Sequence, residues 1–137
     1  MRFVVDCSVV MSWCFDDESD NYADKVLELV TKNEALVPSI WPLEVANVLL
    51  VGERKKRLTK ADSTRFIELL SAQPIVVDME TQEKALGDTL SLARDYGLSS
   101  YDASYLELAM RHGIALATSD QSLRKAAEKC GIRLLKV

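Results

Sequence analysis

The feature that most constrains this chain is the alternation of short apolar runs with longer segments of helical periodicity. Runs of three to five residues rich in Val, Ile, Leu and Phe are typical of buried strands. Strands that are separated by helices need crossover connections, so the alternation predicts a three-layer α/β/α domain with a central parallel sheet of four to five strands. The predicted strands are residues 2–6, 35–37, 75–77, 114–117 and 133–135.

Residues that begin and end helices mark the segments between these runs. Pro42 suits the first turn of a helix, and Thr59 is a suitable N-cap. Gly97 and Gly113 suit the left-handed position that follows a helix. Gly52 interrupts a helical pattern, and the sequence gives no reason for it. The predicted helices are residues 22–32, 42–57, 59–71, 80–96, 100–112 and 120–131, with a further short helix directly after residue 6.

The length of 137 residues predicts one domain, residues 1–137, with a core that needs neither disulfides nor a structural metal. The three cysteines include no CxxC pair, which argues against a zinc knuckle. No apolar run approaches the roughly 20 residues of a membrane-spanning helix, and the N-terminus lacks the pattern of a secretory signal. We therefore expect a cytoplasmic protein without membrane association.

Four acidic residues occupy corresponding places around the predicted elements. Asp6 ends the first strand, and Glu44 lies in the first turn of the helix after the second strand. Asp102 and Asp120 also begin helices. In an open parallel sheet, strand ends and the helices that follow them meet at the carboxyl edge, where clefts form. We therefore expect these four side chains to converge.

Three of the four acids, all except Asp6, also have a structural explanation. Asp102 fits a capping box that begins at Ser99, Asp120 is a good N-cap, and Glu44 complements a helix dipole. Taken together, however, crowded carboxylates repel one another unless a cation lies between them. Oxygen ligands favour Mg²⁺ or Mn²⁺, and such a site suits the hydrolysis of a phosphodiester. The sole histidine, His112, argues against a histidine-based ribonuclease.

Four motifs surround these acids in order: VVDCSVV, WPLEVANVLL, LSSYDASYLELA and ATSDQSLRKAA. Together they resemble the PIN-domain nucleases, and among them the VapC-type toxins of toxin–antitoxin pairs. The resemblance covers nearly the whole chain. It implies a PIN-like α/β fold and an endoribonuclease that uses Mg²⁺ or Mn²⁺. It further implies a homodimer, and a small antitoxin protein whose peptide covers the cleft.

Carried over by position, the resemblance makes Asp6, Glu44 and Asp102 the principal metal-binding and catalytic acids, with Asp120 as the fourth, binding metal directly or through water. It implies supporting roles for Ser8, Asn47, Thr118 and Ser119, with Asn47 orienting the acids.

The net charge of −4 does not by itself indicate nucleic acid binding, which usually leaves a basic footprint. A candidate RNA-binding cluster is Arg54, Lys55, Lys56 and Arg57, although a solvated helix end explains it equally well. Two other functions stay open: a PIN-like module that binds RNA or a partner without cutting, and a phosphotransferase with Asp6 as nucleophile. The second needs an acid two residues after Asp6, where this chain has Ser8.

Overall fold

The computed structural model describes residues 1–18 and 20–137, and its centre is a sheet of four parallel strands. The strands are β1 (Arg2–Val5), β2 (Glu34–Val37), β3 (Ile75–Val77) and β4 (Ala115–Ala117). Their spatial order is β3-β2-β1-β4, so β1 lies between β2 and β4. Helices cover both faces of the sheet, which confirms the predicted three-layer architecture.

The predicted fifth strand, residues 133–135, is wrong. Leu134 forms an isolated parallel bridge with Leu116 and belongs to no named strand. Two hydrogen bonds flank that bridge, from Leu116 N to Arg133 O at 2.9 Å and from Leu135 N to Leu116 O at 2.8 Å. The chain contributes only one bridged residue to the edge of β4, so the sheet stays at four strands in the described part of the chain.

Each predicted helical segment contains a helix, with ends that differ by up to three residues and with one internal difference. The segment predicted at 80–96 contains a short π-helix, Ala85–Thr89, between two α-helices. Across the described residues, no helix combines the length and apolarity needed to cross a membrane. The α-helices are α1 (Cys7–Ser12), α2 (Asn21–Lys32), α3 (Trp41–Arg54), α4 (Lys60–Ser71), α5 (Thr81–Lys84), α6 (Leu90–Tyr96), α7 (Ser100–His112) and α8 (Gln121–Lys129).

The core forms around β1, which is covered on both faces. Phe3, Val4 and Val5 are completely buried, which explains why this strand is a continuous apolar run rather than an alternating one. Helix α7 packs against β1 and β4, and α2 packs against β2. Because β1 lies inside the sheet and its last three residues are completely buried, Asp6 follows a rigidly packed segment.

Helix α3 ends three residues earlier than predicted, at Arg54, and turns sharply into α4. Lys56 has a φ of 60°, the left-handed conformation that often follows a helix. The Gly52 carbonyl accepts the Arg57 N–H at 2.8 Å. A Cβ on Gly52 would lie 3.0 Å from Leu58 Cδ1 and 3.3 Å from a ring carbon of Phe15, so close packing explains this glycine.

Candidate active site

The four acids predicted to converge come from four separate elements. Asp6 directly follows β1, and its N–H donates to Ala117 O at 2.9 Å, which aligns the ends of β1 and β4. Glu44 lies in the first turn of α3, Asp102 lies in the first turn of α7, and Asp120 is the N-cap of α8. Residues up to 114 positions apart in the sequence thus meet at the carboxyl edge of the sheet.

Mutual repulsion shows that these carboxyl groups share one electrostatic neighbourhood. Burial raises the pKa of Asp6, and the charge of Asp120 raises it further. Burial likewise raises the pKa of Glu44, with additional contributions from Asp6 and Asp102. The pKa of Asp102 is raised by burial and then by Asp6 and Asp120. The site therefore disfavours its own negative charge, which a bound cation would offset.

Two hydroxyl groups hold the Asp6 carboxylate. Ser8 Oγ donates to Asp6 Oδ2 at 2.6 Å, and Thr118 Oγ1 donates to the same oxygen at 2.8 Å. Thr118 Oγ1 also accepts the Asp120 N–H at 3.1 Å, so one fully buried side chain connects two of the acids. Ser8 and Thr118 therefore fix the orientation of the Asp6 carboxylate.

Tyr105 performs a similar function for Glu44. Its hydroxyl donates to Glu44 Oε1 at 2.6 Å, and its side chain is fully buried in α7. Burial, together with the nearby Glu44 charge, raises the pKa of Tyr105, so the phenol keeps its proton and stays a donor. Burial and the charges of Glu44 and Asp6 raise the pKa of the Cys7 thiol to about 12, so Cys7 does not offer a thiolate ligand at neutral pH.

The chemistry of this donor set fits a hard divalent cation, because it offers carboxylate and hydroxyl oxygens and no thiolate. Within residues 1–18 and 20–137, however, no three His, Cys, Asp or Glu side chains are grouped closely enough to hold an ion together. Mg²⁺ usually retains several water molecules between itself and the protein, so carboxylates that do not all contact the ion can still hold it through water.

Other residues predicted for the site lie outside this hydrogen-bonded group. Asn47 is exposed, and its side chain has no hydrogen-bond partner among the described residues. The Ser119 hydroxyl likewise has no partner among them. The basic cluster 54–57 lies at the other end of α3 from Glu44, about 15 Å along the helix axis. Arg57 is already paired there with Asp17 at 2.9 Å and lies over the ring of Phe15.

The site predicted from the sequence did not include two residues that lie near the acids. Tyr105 follows Asp102 by three residues, and this spacing places both on one face of a helix. Arg124 follows Asp120 by four residues, and its guanidinium donates to Thr118 O at 2.6 Å. Helical spacing from the predicted acids could have identified both, but it could not have shown which atoms they contact.

Comparison with known proteins gives consistent matches. The chain matches the PIN domain family over residues 3–129. It is 27% identical over 123 residues to ribonuclease VapC3 of Pyrobaculum aerophilum, covering 90% of this chain and 92% of the relative.

Solved structures show the same fold. The crystal structure of PAE2754 from Pyrobaculum aerophilum superposes with a TM-score of 0.66 at 26% identity, covering 92% of this chain and 87% of the other. The crystal structure of VapBC2 from Rickettsia felis, bound to a DNA fragment from its promoter, gives a TM-score of 0.68 at 14% identity and covers 98% of each chain.

Proposed function

This chain belongs to the PIN-domain family, and we propose that it is a metal-dependent endoribonuclease, the toxin of a VapBC-type pair, with Asp6, Glu44, Asp102 and Asp120 as its catalytic acids. The observation that carries the proposal is the convergence of these carboxyl groups, three of which have a raised pKa with another of the four among the causes. The likeness to ribonuclease VapC3 supports RNA as the substrate.

The four acids would hold Mg²⁺ or Mn²⁺, directly or through water. When bound, such a cation supplies Lewis acidity and positive charge for the hydrolysis of a phosphodiester. Ser8 and Thr118 both donate to Asp6 Oδ2, so they hold the carboxylate in one orientation. Tyr105 holds Glu44 through Oε1 in the same way. Preorganised ligands of this kind reduce the reorganisation that ion binding requires.

The direct test is cleavage of end-labelled single-stranded RNA with Mg²⁺, with Mn²⁺ and with EDTA. We expect cleavage with either ion, loss of cleavage in EDTA, and recovery when excess Mg²⁺ is added back. The products should carry 5′-phosphate and 3′-hydroxyl ends, which end-specific enzymes distinguish. Cleavage that persists in EDTA, or that yields cyclic phosphate ends, would contradict the proposal.

The proposal includes a protein partner. The VapBC2 complex among the structural relatives supports a small antitoxin partner, and the family resemblance supports a homodimer and an antitoxin peptide that covers the acidic cleft. The corresponding test is co-expression with the small protein encoded beside this chain. A cognate antitoxin would suppress the cleavage described above in purified, stoichiometric mixtures.

The basic cluster gives a separate prediction about RNA binding. Arg54, Lys55 and Lys56 are exposed and form no ion pair with the residues the structure describes. If they contact phosphates, the variant Lys55→Glu/Lys56→Glu should bind RNA more weakly and show a shallower dependence of log Kd on log salt concentration. Lys25→Glu/Lys32→Glu provides a matched double charge reversal at exposed positions on α2. An unchanged slope in the cluster variant would place the RNA path elsewhere.

A second candidate function is a PIN-like module that binds RNA or a partner without cutting it. The observation that favours it is the spacing of the acids, which leaves no group of three able to hold an ion among the described side chains. Two measurements, RNA affinity and RNA cleavage, distinguish the two candidates. A binding module would retain RNA with equal affinity in Mg²⁺ and in EDTA and would leave every RNA intact.

A further inference from the structure

A small pocket lies beside the acids, between the start of α3, the π-helix and the start of α7. Its volume is about 250 Å³. The residues around it include Ile40, the N-cap of α3, Leu43, which directly precedes Glu44, and Tyr101, which precedes Asp102 on α7. These wall residues are within about one helical turn of two proposed catalytic acids.

The lining has the chemistry of a site for a planar, uncharged ring. Among the described residues that line it there is no Asp, Glu, Lys or Arg, and its exposed surface is mainly apolar. Tyr101 lines the pocket and is 59% exposed, so it offers an aromatic side chain for stacking. Gln82 and Ser100 add an amide and a hydroxyl at the edge, and neither side chain has a hydrogen-bond partner among the described residues. A phosphate would find no cation in this pocket, whereas a nucleobase would find a stacking surface and polar groups for its edge.

An independent observation is an unpartnered polar group in the wall of this pocket. Thr89 lines the pocket and is only 2% exposed, yet its hydroxyl has no hydrogen-bond partner among the residues that the structure describes. A buried hydroxyl without a partner costs free energy, and native structures rarely leave one unexplained. Thr89 ends the π-helix Ala85–Thr89, and π-helical turns occur frequently at functional sites.

We propose that this pocket binds one unpaired nucleobase of single-stranded RNA next to the phosphodiester that is cut. The inference rests on the proposed nuclease function and adds a substrate requirement to it. The pocket is smaller than the roughly 300–1,000 Å³ typical of sites for drug-sized ligands, so it suits one ring system. A base that is paired in a duplex could not enter it, because its edge and both faces are already occupied.

The test uses short labelled RNAs that contain the mapped cleavage site and lack one base, at each position in turn. For intact RNA, Tyr101→Ala should lower kcat/KM about tenfold, mainly through KM, because one base–aromatic stack is lost. On the RNA that lacks the base bound in the pocket, the kcat/KM of the wild type should fall by a similar factor. On that RNA, Tyr101→Ala should lower kcat/KM no further. Tyr101→Phe should retain wild-type behaviour, and Thr89→Val should lose part of the base dependence.

Leu86→Ala is the matched control. Leu86 lies in the same π-helix and is 90% exposed, but it does not line the pocket. This variant should cleave every RNA at the wild-type rate. If Tyr101→Ala and base removal reduce kcat/KM independently at every position, the pocket binds no base and the inference is overturned. It is also overturned if Tyr101→Ala changes only self-association or antitoxin binding, because the pocket is then a protein interface.

The nuclease proposal and the pocket can fail separately. If wild type cuts no RNA, the proposed function fails, and the same comparison is made with equilibrium binding of the intact and base-deficient RNAs. A base-dependent loss of affinity in Tyr101→Ala would then still support the pocket, and independent losses would overturn it. If cleavage is normal but every RNA responds equally to Tyr101→Ala, only the pocket is rejected.

Discussion

Replacing Asp6 with Asn is expected to lower kcat/KM for RNA cleavage by a factor on the order of 10³ or more. Asp6 is the most buried of the four acids, and two hydroxyl groups orient its carboxylate. An Asn side chain keeps the size and the accepting oxygen but loses the negative charge, so it would bind a divalent cation poorly. Cleavage assays should be combined with calorimetric titration of Mn²⁺, in which Asp6→Asn should show much weaker binding.

The same substitution should not harm the fold. In EDTA, the free energy of unfolding of Asp6→Asn should equal that of wild type or exceed it by about 1 kcal/mol, because repulsion with Asp120 disappears and the amide oxygen still accepts from Ser8 and Thr118. Asp95→Asn, at an exposed position on α6, is the matched control and should change neither activity nor stability. Full activity in Asp6→Asn would reject Asp6 as a ligand.

The sequence predicted the architecture because local patterns determine it. The strand before Asp6 is buried on both faces, so its sequence is a continuous apolar run. Such a run can be recognised without knowing which strands it pairs with. Once strands and helices alternate, parallel pairing and the carboxyl edge follow from connectivity. Convergence of Asp6, Glu44, Asp102 and Asp120 could therefore be predicted from the position of each acid within its own element.

Features that depend on tertiary contacts could not be predicted in this way. Residues 133–135 have a strand-like composition, but only Leu134 reaches the edge of β4. The π-helix within 80–96 has no sequence signature, since its residues are ordinary helix formers interrupted by Gly87. Arg57 contacts Asp17 and Phe15, and both of these partners lie about 40 residues earlier in the chain. Local spacing also gave no means of finding the hydrogen bond between Tyr105 and Glu44.

A buried charge network on the other end of α7 also escaped prediction. The Arg111 guanidinium donates to Glu107 Oε2 at 2.8 Å through Nε and to Asp78 Oδ2 at 2.7 Å through a terminal nitrogen. A third carboxylate, Glu80, accepts at 3.0 Å. The side chains of Arg111, Asp78 and Glu107 are 15%, 9% and 4% exposed, so this network joins the end of β3 to α7 away from solvent.

Removing Arg111 should therefore be the most destabilising single change outside the apolar core. We expect Arg111→Met to lower the free energy of unfolding by about 3–5 kcal/mol at pH 7, because it leaves the buried Asp78 and Glu107 carboxylates without their cation. Urea titration at pH 7 measures this loss. Arg94→Met is the matched control, because Arg94 is exposed on α6 and makes no ion pair with other described residues.

The pH dependence of this loss separates a charge effect from a packing effect. Hydrogen bonds from Arg111 lower the pKa of Asp78 below its ordinary value of 3.8. The stabilisation that Asp78 contributes is therefore complete above that value and is lost as the pH falls through the lowered pKa. The stability difference between wild type and Arg111→Met should narrow when urea titrations are repeated below pH 4. A difference that stays constant down to that pH would show that the arginine stabilises the fold by packing alone.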